Sequence, residues 1–182
     1  MKICFTSDQH FGHRNIMKFT DREFESVAAM DEALIAAHNE VVGKNDLVYM
    51  LGDFTFYRDA DKIRPIVDRM NGRWITILGN HDQDLIRMIE YRFERIVHMP
   101  YLEVKHGGHR ITLCHYPMSE WNASFRGAWH LHGHSHGQWP TSKYKKQDVG
   151  VDTNNLRPYT LDDLKDIMKD RKKQDSEIYK PQ

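Results

Sequence analysis

Twelve of the 182 residues are histidines, and four of them stand on alternate positions: His130, His132, His134 and His136. Histidine is a frequent metal ligand and the side chain that titrates near neutral pH, so the excess points to chemistry. Other candidate donors are spread along the chain: Asp8 with His10, then Asp53, Asn80 with His81, and His115. Seven of these groups (Asp8, His10, Asp53, Asn80, His115, His134, His136) form a mixed oxygen and nitrogen set. Imidazole suits zinc, iron and nickel, whereas carboxylate and carbonyl suit manganese and magnesium. Seven donors are too many for one tetrahedral ion and match two divalent ions bridged by one carboxylate. Two such ions, ~3.5–4 Å apart, clamp the attacking and leaving oxygens of an in-line displacement. With two aspartates and a bridging hydroxide the formal charge of the centre is about +1, which attracts phosphate.

The elements that must bring these groups together are visible as apolar runs that stop at them. Residues 2–7 read as a short strand ending at Asp8-Gln9-His10, residues 46–51 as a doubly buried strand ending at Gly52-Asp53, and residues 74–78 as a strand ending at Gly79-Asn80-His81-Asp82. Between them, residues 23–42 carry apolar positions at steps of three and four, predicting a helix, and residues 59–70 predict a second one containing Pro65. The later half reads mostly as strands: residues 97–105 and 110–115 joined by a His106-Gly107-Gly108-His109 turn, then 129–132 and 148–152. Thr160 followed by Leu161-Asp162-Asp163 predicts a helix start. The expectation is a single α/β domain over residues 1–168, followed by a charged, solvated tail over residues 169–182. In open α/β sheets the carboxyl ends of strands form the rim where sites assemble. Five strand ends delivering only Asp, Asn and His are not what packing alone would select.

Composition bounds the rest. With 26 basic and 26 acidic side chains and 40% hydrophobic residues, the chain reads as an ordinary globule. Zero formal charge argues against a protein that coats long nucleic acid. No run approaches the ~18 apolar residues of a membrane span, and no charged-then-apolar leader follows Met1. Two cysteines, Cys4 and Cys114, make no disulfide framework and read as small buried hydrophobes. A cytoplasmic location is expected.

The ordered blocks Asp8-Gln9-His10, Gly52-Asp53, Gly79-Asn80-His81-Asp82, His115 and Gly133-His134-Ser135-His136 resemble the five-block signature of the calcineurin-like metallophosphoesterase superfamily, with Gly150-Val151-Asp152 a weaker extension. The resemblance implies a two-sheet sandwich flanked by helices, a four-layer αββα arrangement. It implies that Asp8, His10 and His136 hold one metal ion and that Asp53 bridges to a second, held by Asn80, His115 and His134. It also implies that His81 is the catalytic histidine, contacting the scissile phosphate and protonating the leaving oxygen. A hydroxide shared by the two ions would attack phosphorus with no covalent phosphoenzyme. One block departs from the usual Gly-His: here His115 follows Cys114. Manganese is the favoured ion, with iron, zinc or nickel also compatible with the ligand set. The short, cap-less chain resembles small prokaryotic and phage-type members and favours a phosphodiesterase acting on nucleotide-like or small diesters. A phosphomonoesterase and a catalytically weak metal-binding scaffold are the alternatives.

Substrate contacts are harder to place. Arg14, just beyond the first ligand pair, suits a phosphate. The aromatic segment 116–139, with Trp121, Phe125, Arg126, Trp129 and Trp139, suits a nucleobase pocket, from which Arg126 and Trp121 are the candidate contacts. Aromatics closing a hydrophobic layer beneath a long loop are the competing explanation.

Overall fold

The computed structural model of the chain describes residues 1–82, 89–98 and 100–175. Its strands are β1 (Ile3–Thr6), β2 (Leu47–Met50), β3 (Arg73–Ile77), β4 (Phe93–Val97), β5 (Tyr101–His106), β6 (His109–Cys114), β7 (Trp129–His132), β8 (Lys146–Asp148) and β9 (Tyr159–Thr160). Its helices are α1 (Ile16–Phe19), α2 (Val27–Val41), α3 (Ala60–Val67) and α4 (Leu161–Lys169). The strands form two mixed sheets, one ordered β4-β3-β2-β1-β9 and one ordered β5-β6-β7-β8. In the first, β1 to β4 are parallel and β9 is antiparallel; in the second, β6 to β8 are parallel and β5 is antiparallel.

The period of two in a strand explains the layers. Cys4, Val48, Met50 and Trp74 face one way and pack with Met30 and Leu34 of α2 and Ile63 and Val67 of α3. Phe5, Tyr49, Leu51 and Ile77 face the other way and meet Ile111, Leu113, Trp129 and Leu131 of the second sheet, with Leu164 and Met168 of α4 closing the edge. The first sheet is therefore buried on both faces, and its sequence reads as continuous apolar runs for that reason. On the outer face of the second sheet, buried His130 lies against the ring of Trp121 from the 116–128 loop.

Local signals set the ends of the elements. Helix α2 starts at Val27, four residues later than its periodicity suggests, because Ser26 caps it by accepting from Ala29 N. Asp59 caps α3, and Thr160 with Asp163 forms a reciprocal capping box on α4. The turn at Gly107-Gly108 has both residues at positive φ, as a two-residue hairpin requires. Two expected strands are corrected. The run 97–105 is two strands in different sheets, since Val97 ends β4 and Tyr101 begins β5, with Pro100, which has no N–H to donate to a ladder, between them. The run 148–152 is not a strand: β8 ends at Asp148, whose carboxylate accepts from Gly150 N, and Val151–Thr153 forms a 3-10 turn. Beyond α4, Lys172 bridges to Tyr144 and Arg171 donates to Gln147 Oε1, while residues 176–182 lie outside the described part of the chain. Among the described residues no helix is long and apolar enough to cross a membrane.

The buried histidines of this scaffold couple its stability to pH. Burial pushes His38, whose Nε2 bonds to Asn71 O at 2.9 Å, down to about 4, and pushes His130 down to about 3. An unfolded histidine titrates near 6.5, so as pH falls below that value the unfolded chain takes up protons that the native state refuses. Stability is expected to fall from pH 6.5 toward 4 by up to ~1.4 kcal/mol per pH unit for each such group. Urea unfolding of the wild type and of His38→Gln across this range checks it: the variant should lose about one proton's worth of the slope.

Candidate metal centre

All the predicted donors sit just past strand ends on one rim. The loops after β1 and β2 are joined by backbone bonds, Asp8 N to Gly52 O at 3.0 Å and His10 N to Asp53 O at 3.1 Å. The loops after β6 and β7 are joined by Gly133 N to His115 O at 2.9 Å. The rim backbone is strained. Asp8 (φ 60°), His10 (54°), Asp53 (56°), His134 (67°) and His136 (49°) all adopt the left-handed region. Such positions cost of order 1–3 kcal/mol each and persist where the surroundings over-determine them, as at functional sites. Glycine is required beside them: a Cβ on Gly52, at φ 94°, would overlap the Gly79 backbone and come within 2.9 Å of His115 Nδ1. A Cβ on Gly133 would overlap Ser7 Oγ and the Asp8 carboxylate.

Two groups of donors result. Asp8, His10 and His136 offer one atom each within 4.8 Å of one another, and so do Asp53, His115 and His134. Asp53 Oδ2 lies between the groups, 3.7 Å from His10 Nε2 and 3.5 Å from His115 Nε2. Asn80 joins the second group through Oδ1, 3.0 Å from His115 Nε2. His81 donates its backbone N–H to Asp53 Oδ1 at 3.0 Å, and its half-exposed ring packs on Phe56 with Nε2 4.0 Å from Asp53 Oδ2. The structure thus brings together all seven predicted donors and His81.

The donor chemistry fits a pair of cations. His10 is buried with both ring nitrogens unpartnered. A buried, unbonded imidazole is costly, and burial holds its pKa far below the ordinary range, so it presents a neutral lone pair. His115 Nδ1 lies 2.7 Å from Leu51 O and donates to it; Nε2 then aims at two oxygens, Asn80 Oδ1 and Asp53 Oδ2. Lone pairs of a carbonyl, a carboxylate and an imidazole converging at this range call for a positive charge between them. The pKa values say the same. Burial raises Asp8 to about 7. His115 is raised to about 9 although its burial works against the charged form, because the hydrogen bond its ring gives to Asp53 and the Asp8 and Asp53 charges outweigh it.

A set of buried carboxylates holds the donors in place. Asp82, in the third block, accepts from Asp53 N at 2.7 Å, Phe54 N at 2.9 Å and Gly79 N at 2.8 Å, tying the loops after β2 and β3 together. Asp152 accepts from His136 Nδ1 at 2.7 Å, which leaves Nε2 free to face Asp8 and His10. Arg22 holds Asp152 bidentately at 2.6 and 2.8 Å and also donates to the carbonyls of Asp8 and Gln9, each at 2.8 Å. Sequence reasoning assigned no role to Arg22, which lies 130 residues from Asp152 and carries no local signature.

Two of the three predicted substrate contacts, Trp121 and Arg126, do not join the cluster. Arg14 is exposed on the loop after β1. Trp121 is buried and donates its indole N–H to Ala128 O at 2.9 Å. Arg126 stacks on Phe125 beside a cavity lined by His109 and Gly127, at the amino-terminal ends of β6 and β7, the end of the sheet away from His115 and His134. His130 and His132 are structural, bonded to Thr112 O and Gly133 O.

The model of the calcineurin-like phosphoesterase family matches residues 1–180 of this chain. The chain belongs to that family. A protein of Methanocaldococcus jannaschii, itself uncharacterized, is 35% identical over 170 residues, covering 88% of each chain. The Gene 66 protein of Mycobacterium phage L5 is 28% identical over 177 residues, covering 81% of this chain and 85% of its own. A solved structure of a protein of unknown function from Aquifex aeolicus superposes with a TM-score of 0.74 at 24% identity, covering 91% of this chain and 98% of its own; that likeness concerns the fold. With the family established, the chain is a phosphoesterase whose two Asp/His groups could hold metal ions.

Asp152→Asn should keep the fold yet weaken metal uptake, because its amide can donate where His136 needs an acceptor. Loss of such an outer partner costs about 10–100-fold in metal affinity. Calorimetric titration of the metal-free protein with Mn²⁺ checks this: one of two binding events should weaken, and the unfolding midpoint of the metal-free form should fall as well, because buried Arg22 loses its carboxylate partner.

Proposed function

We propose that this phosphoesterase is a two-metal enzyme that favours phosphodiesters, nucleotide-like or small. In this reading Asp8, His10 and His136 hold one ion, Asn80, His115 and His134 hold the other, and Asp53 bridges them. The observation that carries the reading is Asp53 Oδ2, placed within 3.7 Å of an imidazole from each group. The chemistry such an ion pair supplies is positive charge for the phosphate and an acidified water at neutral pH. Manganese is the favoured ion on the strength of the carboxylate and carbonyl donors, and the four imidazoles keep iron, zinc and nickel compatible with the same set.

The protein's own part is orientation and proton transfer. The Asp53 carboxylate is fixed at both oxygens, by the His81 backbone and by the facing imidazoles. His81, at the rim, is placed to touch the scissile phosphate and to give a proton from its ring to the leaving oxygen. Its side chain is 40% exposed, so substrate reaches it without displacing protein. No side-chain nucleophile is needed, and both cysteines are buried. Asn80 and His134 are exposed as well, leaving room for a phosphate substituted on both sides, which is the support for diesters over monoesters. Arg14 is the proposed phosphate contact from the loop after β1. Two free buried thiols favour a reducing, cytoplasmic setting.

Metal analysis followed by rates on p-nitrophenyl phosphate and bis(p-nitrophenyl) phosphate with Mn²⁺ tests the proposal. The diester is expected to turn over faster, and chelation should abolish both rates. His81→Ala should lower kcat by about 100-fold or more with two ions still bound. Binding of a single ion at saturation, or a higher kcat/KM for the monoester, overturns the respective part.

A further inference from the structure

The aromatic segment that the sequence singled out divides in the structure. Trp121 and Trp129 are buried, but Trp139 is 61% exposed, the largest aromatic left open to solvent among the described residues. A single open indole is ordinary on a protein surface; what distinguishes this one is the cavity it lines. Trp139 lines a cavity of about 370 Å³ that is also walled by His136, Thr141, Ser142 and Lys146. His136 is the connection: its ring belongs to the first donor group, and its loop forms part of the cavity wall.

The cavity is built rather than incidental. Asp148 braces the His136 loop by accepting from Ser135 Oγ and Gly137 N, both at 2.9 Å. Arg171, from the segment after α4, also lines the cavity and is tied to β8 through Lys146 O and Gln147 Oε1. Lys146 Nζ lies 6.0 Å from the centre of the Trp139 ring and donates to Met118 O at 3.4 Å. An ammonium has three donors, so more than one partner can be served at this place.

We propose that this cavity is a subsite for the base of a nucleoside phosphate ester, with the Trp139 indole as its stacking platform. The proposal rests on the phosphoesterase reading: a phosphate held beside His136 puts the group esterified to it next to Trp139. The volume falls in the range of small-molecule sites. A nucleobase presents a π-face to the indole and a polar edge to the Thr141 and Ser142 hydroxyls and the Lys146 ammonium. Stacking on an aromatic side chain discriminates base-bearing from base-free esters without reading the identity of the base.

Two esters with the same leaving group test this: thymidine 5′-(p-nitrophenyl phosphate) and methyl p-nitrophenyl phosphate, with Mn²⁺ and the full chain. Trp139→Ala should reduce the ratio of their kcat/KM values about tenfold, through KM of the thymidine ester, and Trp139→Phe should restore most of it. Tyr91→Ala, which removes an exposed aromatic elsewhere, should leave the ratio alone. Equilibrium dialysis of thymidine 5′-monophosphate gives a readout independent of turnover, and Trp139→Ala should weaken that binding by a similar factor. Hydrolysis of both esters with a ratio insensitive to Trp139→Ala removes the subsite and leaves the phosphoesterase reading standing. Trp139-dependent nucleotide binding without hydrolysis of either ester does the reverse. Neither binding nor hydrolysis removes both.

Discussion

Asp53 is the residue on which the arrangement of the site turns. Its N–H donates to Asp82, its carbonyl accepts from His10 N, one carboxylate oxygen accepts from His81 N, and the other faces three imidazoles. It is held in the left-handed backbone region to do so. A residue engaged at every polar atom cannot shift without moving the loops after β1, β2 and β3 together. Its own charge state follows from this crowding. Burial works against the carboxylate, but the His115 hydrogen bond and charge and the His81 N–H prevail and hold its pKa down at about 2.

The two aspartates of the site are consequently driven in opposite directions. Asp8, fully enclosed, is raised to about 7, while Asp53 stays ionised. The imidazoles divide likewise, His10 being forced neutral by burial and His115 held toward its charged form by its carboxylate neighbours. Environments that separate identical side chains in this way are characteristic of sites built for chemistry. Here the separation comes from backbone placement, since the strained loops decide which donor faces protein and which faces the rim.

The donors were legible in the sequence because each follows a run of strand-forming residues and because Asp, Asn and His recur at successive strand ends. The alternation of strand and helix made the first sheet legible for the same reason, and Thr160 with Asp163 announced α4. What failed was continuity: the apolar pattern runs through Pro100, whose missing N–H is the one local sign that the strand ends there, and Val149 to Asp152 reads as strand though the Asp148 carboxylate ends the ladder. The brace on His136 was invisible because Arg22 and Asp152 meet only in three dimensions. Which tryptophan is open was equally hidden, since Trp121 and Trp139 differ in burial through what folds over them and not through their neighbours in sequence.

Each donor group also draws on both sheets. Asp8 and His10 follow β1 and meet His136, which follows β7; Asp53 follows β2 and meets His115 and His134 from the other sheet. Neither half of the sandwich owns a complete site, so ligation capacity appears only once the halves have docked. The apolar seam docks the halves by itself, and an ion seated there would add a rivet across it, stabilising the folded form by mass action. Metal occupancy would thus add a second source of durability to the one that packing already supplies.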